Sequence, residues 1–199
     1  MRVIIVTAAN SGIGHLVSAA LRIRGDRVIS VDTSDADVVA DLSFPKGRQE
    51  AADRIMELAH GCIDGIAFYA GYSPGFGSPD APGECVSVNF FGVTRLVSLL
   101  NPVLQESRAG RVVLITSQSL LHEKDPAVIA ACLADDEGAA VAAASVAPDL
   151  CYQSSKMAIS LWVKREAVKQ EWAGAGILLN AIAPGVVMAP GIKEMLATS

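Results

Sequence analysis

Tyr152 and Lys156 stand four residues apart in the run Tyr152-Gln153-Ser154-Ser155-Lys156. On a helix that spacing puts both side chains one turn apart on the same face. A free phenol titrates near pH ~10, too high for an efficient base at neutrality. An ammonium held beside it favours the phenolate and draws the phenol toward a working range. Tyr152 could then take a proton from, or give one to, a reacting oxygen, with Lys156 tuning it and able to hold a nearby hydroxyl. The same spacing also describes a surface aromatic–cation pair. Ser117, in Thr116-Ser117-Gln118-Ser119, can donate a hydrogen bond to a substrate oxygen that gains charge. A hydroxyl-rich turn has the same composition.

Proton exchange of this kind needs a redox carrier, and Thr7-Ala8-Ala9-Asn10-Ser11-Gly12-Ile13-Gly14 offers a place for one. A pyrophosphate must meet backbone at close range and find a helix N-terminus with open amides. Gly12 and Gly14 permit the approach, a helix starting near Ile13 supplies the amides, and Ala8, Asn10 and Ser11 complete the turn. A plain strand-to-helix turn has the same residues. Asp32 ends the second strand. A carboxylate there can accept both hydroxyls of an adenosine ribose and repels a 2′-phosphate, which favours NAD(H) over NADP(H). Thr33, Ser34 and Asp35 bring no base to such a phosphate. Asp32 also suits an ordinary turn.

The elements that must position these groups alternate strand and helix patterns from the first residue. Strands are expected at 3–6, 27–31, 38–39, 63–70, 111–116 and 177–182. A helix over 13–24 sets Leu16, Ala19, Ala20 and Ile23 on one face and stops at Gly25. A second over 49–60 turns Ile55, Leu58 and Ala59 inward. A third over 86–106 bends near Asn101-Pro102. A fourth over 152–172 buries Ile159, Trp162, Val163 and Ala167. Residues 71–82, rich in Gly, Pro and Ser, form a loop. Residues 120–150 form an insert with two short helices, one capped by Asp125-Pro126 and one by Asp135-Asp136. This order predicts an α/β fold: one doubly wound, Rossmann-type parallel sheet flanked by helices, forming a single dinucleotide-binding and catalytic domain over 1–199 with a helical insert at 120–150.

Composition narrows the function. With 51% hydrophobic and 19% charged residues the chain can bury a core, and a net charge of −5 without a basic cluster argues against nucleic acid. Cys62, Cys85, Cys132 and Cys151 form no C-x-x-C pair, and His15, His60 and His122 are scattered, so no metal site is expected and the thiols are read as free in a reducing compartment. The start leads straight into the glycine turn, and the Ala-rich run at 139–147 is too short to span a bilayer. The expectation is a cytoplasmic protein without membrane contact.

Taken together, these motifs resemble the short-chain dehydrogenase/reductase family over nearly all of the chain. Thr7 to Gly14 match its cofactor turn. Asp41-Leu42 match its adenine contact. Phe68-Tyr69-Ala70-Gly71 match the motif after its fourth strand. Val88-Asn89-Phe90 match the helix bearing its catalytic asparagine, and Ser117, Tyr152 and Lys156 match its triad. Asn180-Ala181-Ile182-Ala183-Pro184-Gly185 match the segment near the nicotinamide. The resemblance implies that Asn89 holds a water linking Lys156 to solvent. It implies that Ala70, Gly71, Pro184, Gly185 and Val187 line the cofactor. The stretch from Asp35 to Ser43, the run Val86-Ser87-Val88-Asn89-Phe90-Phe91-Gly92 and the insert are similar to a bacterial subgroup, the 3α-hydroxysteroid dehydrogenase/carbonyl reductases. That similarity implies NAD(H)-dependent interconversion of a secondary alcohol with a ketone or aldehyde, steroid 3α-hydroxyl/3-oxo groups included. The substrate would be small and apolar, with the 71–82 loop and the insert shaping its pocket, and the assembly a homo-oligomer such as a dimer.

Four departures stand beside the match. Ala8 replaces the family's first glycine, Tyr69 its usual asparagine, and Val187 and Ala189 the threonine that holds the nicotinamide carboxamide. The family continues past Met195 with a helix pair, a crossover and a last strand, whereas the sequence ends at Ser199. The chain is therefore expected to be the retained portion of a longer protein, or to cover an open sheet edge by dimerising. The alternative function is a dinucleotide-binding sensor or scaffold with little turnover. It is favoured by the shortened end and the lost threonine, and opposed by the intact Ser117/Tyr152/Lys156 set.

Overall fold

The computed structural model describes residues 1–72 and 81–187. Six strands, β1 (Val3–Thr7), β2 (Arg27–Asp32), β3 (Val38–Val39), β4 (Gly65–Phe68), β5 (Arg111–Ile115) and β6 (Leu178–Ile182), form one sheet in the order β3-β2-β1-β4-β5-β6. Every pairing is parallel. The chain runs outward from β1 to β3, then crosses to β4 and continues the other way. Right-handed crossovers therefore put α1 (Gly12–Ile23) on one face. They put α2 (Pro45–Ala59), α4 (Val93–Leu104) and α7 (Cys151–Glu166) on the other. The direction reverses between β1 and β4, which is where such sheets bind ligands.

The strands show the two-sided burial that continuous apolar runs require. Ile5 joins the large core shared with Ile55, Leu96, Leu100 and Ile159. Its neighbours Ile4 and Val6 point to the opposite face and pack with Leu21 and Val28. β6 forms the edge of the described sheet, with Leu178 and Ile182 about half exposed.

The first helix departs from its expected face. Leu16 is 66% and Ile23 88% exposed, and the fully buried positions are Gly14 and Ser18. Close approach decides this: a Cβ on Gly14 would lie 2.1 Å from the Ala8 carbonyl oxygen. The small-residue stripe must therefore face the sheet, and the apolar stripe turns away.

The long apolar helix also differs. α3 (Pro82–Val86) runs into a π-helical turn at Ser87–Gly92 and then into α4, which passes through Pro102 without a break. Pro102 lies on the exposed side two residues before the end of α4, so its missing N–H costs one solvent-side bond. The distortion falls instead at the π turn around Asn89. Pro82–Leu104 is long and apolar enough to cross a membrane, but 67% of that window is buried inside the protein. Its hydropathy is accounted for by the core.

The insert folds as its caps dictate. Asp125 accepts from Ala127 N at 2.7 Å to start α5 (Pro126–Leu133), and Asp136 accepts from Ala139 N at 2.9 Å to start α6 (Glu137–Val146). The four cysteines are free. α7 ends at Glu166 rather than near Trp172, which is buried before a short 3-10 turn.

Replacing Gly14 by Ala drives a methyl into backbone that cannot yield. The expected cost is about 3 kcal/mol, the upper range for overpacking, read as a lowered urea midpoint. An unchanged midpoint would contradict the close approach of α1 to Ala8.

Candidate active site

A cleft of about 500 Å3 opens at the C-terminal ends of β1, β4, β5 and β6. Ala8, Ser11, Gly12, Ile13 and Gly14 line it together with Ser117, Tyr152 and Lys156. Pro184, Gly185, Val186 and Val187 close one end, and Tyr69, Gly71 and Tyr72 another. The structure thus gathers the glycine turn, the three side chains expected to carry the chemistry and the segment after β6 around one space.

The glycine turn suits an anion. Gly12 has φ +51°, and Ser11 at the N-cap of α1 makes no side-chain capping bond, which leaves the first-turn amides open. Ala8, where the resembling family has glycine, also sits in the left-handed region, at φ +49°, a strain of about 1–2 kcal/mol for a residue with a Cβ. Thr7, fully buried, accepts from Tyr69 N at 2.9 Å and Ala70 N at 2.8 Å through Oγ1, tying the ends of β1 and β4 together. Ala70 supports the cleft from behind and does not line it. These features fit a dinucleotide pyrophosphate: an open helix terminus, and a Gly14 position that any side chain would fill.

Asn10, Asp32, Asp41 and Leu42 lie outside this lining. Asp32 accepts from Asn10 N at 3.0 Å and Thr33 N at 2.8 Å, so its carboxylate stands beside the glycine turn. Asn10 donates through Nδ2 to Ser34 O. Asp41 holds Ser43 through N and Oγ, and Leu42 is buried in the core.

Ser117 Oγ accepts from Ser119 N at 3.1 Å and lies within hydrogen-bonding reach of the Tyr152 phenol, so its own proton is aimed at the Tyr152 oxygen and at anything bound beside it. Thr116 donates from N and Oγ1 to Ile182 O, each at 2.8 Å, and Gln118 N to Pro184 O at 2.9 Å. These bonds fix the 183–187 segment beside Ser117. Lys156 is 2% exposed and donates to Ile115 O at 3.3 Å, with Nζ 5.7 Å from the centre of the Tyr152 ring. Burial draws the ammonium down to about 8. Tyr152 does not show the lowered phenol that the spacing suggests. Burial raises it above the ordinary range, and the Ser117 hydrogen bond offsets part of that rise. Lys156 Nζ lies over the ring, 5.7 Å from its centre, yet desolvation is the largest influence on the phenol.

Asn89 is fully buried in the π turn. Its Oδ1 accepts from Tyr72 N at 2.7 Å; its Nδ2 donates to Tyr72 O at 2.8 Å, Ser155 Oγ at 3.1 Å and Cys85 Sγ at 3.3 Å. A Cβ on Gly71 would lie 3.1 Å from Lys156 Nζ and 3.2 Å from Asn89 Oδ1, so glycine there lets the lysine and asparagine converge. The Cys85 thiol, pushed up by Cys151 beside it and by burial, stays protonated. Thr7, Ser155 and Cys85 were missed as site residues in the sequence, where nothing marks their long-range partners.

Of two expectations about the pocket, the one for the insert changes. Among the described residues none from 120 to 150 lines the cleft; the insert packs against α3 and α7 instead. Of the 71–82 loop, Gly71 and Tyr72 line it, and 73–80 lie outside the described residues, as does Ala189.

A buried ammonium with no carboxylate partner among the described residues costs stability. The distance from about 8 to the ordinary value, at ~1.4 kcal/mol per pH unit, sets a ceiling of ~3 kcal/mol on that cost. A lowered lysine titration leaves the unfolded chain binding the extra proton, so the cost is full below pH 8 and fades as pH rises toward the unfolded value. Lys156→Met should therefore raise the Tm of the cofactor-free protein at pH 7, with a smaller gain at pH 10. A lower Tm at pH 7 would contradict the desolvated ammonium.

The sequence model described as "short chain dehydrogenase" matches residues 2–130. A 3-alpha-hydroxysteroid dehydrogenase/carbonyl reductase of Comamonas testosteroni is 32% identical over 98% of this chain and 77% of its own. A coniferyl-alcohol dehydrogenase of a Pseudomonas strain is 34% identical over 97% and 76%. The crystal structure of a 3-alpha-hydroxysteroid dehydrogenase from Pseudomonas sp. B-0831, complexed with NADH, superposes with a TM-score of 0.89 at 33% identity, covering 96% of this chain and 75% of that one. The strand order, the cleft at the reversal point and these matches agree: the chain belongs to the short chain dehydrogenase family.

Proposed function

We propose that this chain is an NAD(H)-dependent oxidoreductase that interconverts a secondary alcohol and a ketone or aldehyde at Ser117, Tyr152 and Lys156. The observation that carries the reading is the shared cleft: the three side chains and the glycine turn line one cavity of about 500 Å3. Similarity to a hydroxysteroid dehydrogenase supports steroid 3α-hydroxyl/3-oxo groups as the substrate class, and Tyr69, Tyr72, Val186 and Val187 offer a small apolar substrate ring and aliphatic contacts.

The dinucleotide, when bound, supplies the hydride acceptor or donor and, as NAD+, a positive charge. Gly12, Ile13 and Gly14 would hold its pyrophosphate on the amides of α1. Asp32 would take the adenosine ribose. Asp41 and Leu42 would flank the adenine, and Pro184, Gly185 and Val187 the nicotinamide end. Val187 offers no hydroxyl for the carboxamide, so backbone must serve there.

Ser117 donates its hydroxyl proton to the substrate oxygen, held ready by the Ser119 amide. Tyr152 gives its phenolic proton to that oxygen during reduction and takes it back during oxidation. Lys156 faces the phenolate that forms and stabilises it. Among the described residues Asn89 Oδ1 accepts from Tyr72 N, and its second lone pair would serve the water that passes the proton to solvent.

Tyr152→Phe should lower kcat by about 10²–10⁴-fold while NADH still binds, followed by NADH absorbance with a panel of ketones. Equal, negligible turnover in both proteins would favour the sensor reading. Oxidation needs the phenolate, and burial raises the phenol. Alcohol oxidation should therefore climb with pH into the alkaline range, and carbonyl reduction should fall there; a flat profile for both would remove Tyr152 from the proton step. Asp32→Ser should raise the kcat/KM ratio of NADPH to NADH by roughly tenfold or more, the scale of one like-charge contact relieved.

A further inference from the structure

Arg48 lies one turn into α2, outside the cleft, and is 2% exposed. Its guanidinium gathers four residues from three other parts of the molecule. Nε donates to Leu42 O at 2.7 Å, and Nη2 to Ser43 O at 2.8 Å and Ser87 O at 3.2 Å. A two-pronged ion pair reaches Glu137 on α6, with Nη1 to Oε2 at 2.7 Å and Nη2 to Oε1 at 2.6 Å. Side-chain exposure is 3% for Arg48 and 26% for Glu137. An arginine fork on a carboxylate is geometrically rigid in a way that lysine cannot reproduce.

The residues it grips form the connection after β3. That connection is also squeezed from two sides: a Cβ on Gly47 would lie 2.0 Å from Asp41 O, and one on Gly92 3.0 Å from Leu42 O. β3 neighbours β2, whose end carries Asp32, and β2 neighbours β1, whose end carries the glycine turn. A dinucleotide with its pyrophosphate over β1 and its ribose at Asp32 directs its base toward the β3–α2 connection. The insert reaches the same place from behind, because α6 presses on α3, where a Cβ on Gly83 would lie 2.8 Å from Val141 Cγ1.

We propose that Arg48 is a positioning residue for the adenine end of the cofactor, and that the helical insert takes part in cofactor binding through Glu137 rather than by lining the substrate cleft. The proposal rests on the dinucleotide reading above. Arg48 fixes the carbonyls of Leu42 and Ser43, so the adenine half meets a preformed seat. Releasing the fork loosens that seat and leaves the nicotinamide half untouched.

The test compares NADH with reduced nicotinamide mononucleotide, which lacks the adenylate half, in wild type, Arg48→Lys and Glu137→Gln. For Arg48→Lys the Kd of NADH should rise about tenfold, the scale of one charged hydrogen bond lost, and AMP should weaken in step as a competitor. The mononucleotide should bind within about twofold of wild type. Glu137→Gln, isosteric and partly exposed, should show a smaller change of the same kind, and it decides the matter should Arg48→Lys fail to fold. Equal weakening of dinucleotide and mononucleotide would mean a merely structural role and overturn the proposal. So would unchanged NADH affinity in both folded variants. If wild type binds neither molecule, the dinucleotide reading falls and takes this proposal with it.

Discussion

Lys156 brings an ammonium to the end of a parallel sheet where water barely reaches it. Desolvation draws its titration down to about 8, and among the described residues its acceptor is the Ile115 carbonyl. Much of the local architecture accommodates this group. α7 seats it, Gly71 has no side chain to displace it, and the π turn presents Asn89 on its far side. A cation kept short of partners is poor for stability and useful for chemistry, because its charge is available to a phenolate or a ribose hydroxyl.

Arg48 is the contrasting case. It is equally buried, but its charge is answered by Glu137 and its remaining protons by carbonyls. Burial raises Glu137, and the bonds from Arg48 and Ser87 more than reverse that, so the carboxylate lies below its usual range. Such a pair holds geometry and does little else. Within one face of the sheet, one cation is spent on rigidity and the other held in reserve.

Much of this architecture was legible in the residues. The strand–helix alternation, the caps at Asp125 and Asp136, the glycine turn, and Ser117, Tyr152 and Lys156 all depend on local pattern or on position at a strand end. Other features were not. Leu16 and Ile23 lie at helical spacing yet face outward, because Gly14 has to meet the Ala8 carbonyl. Pro102 signals a kink that falls elsewhere, since an exposed proline near a helix end forfeits little and the π turn at Asn89 absorbs the distortion. The lowered phenol expected for Tyr152 met a desolvation that raises it, although Lys156 Nζ lies over its ring.

The sequence by itself determined the period of each element, the conformational freedom of its glycines, and the kinds of proton donor and acceptor at hand. Those are properties of single residues and near neighbours, and they persist in any context. Which face of α1 is buried, how far a buried charge is desolvated, and that Arg48 meets Glu137 across 89 positions were decided by tertiary structure alone. Burial and long-range contact are sums over surroundings that exist only once the sheet has closed its layers.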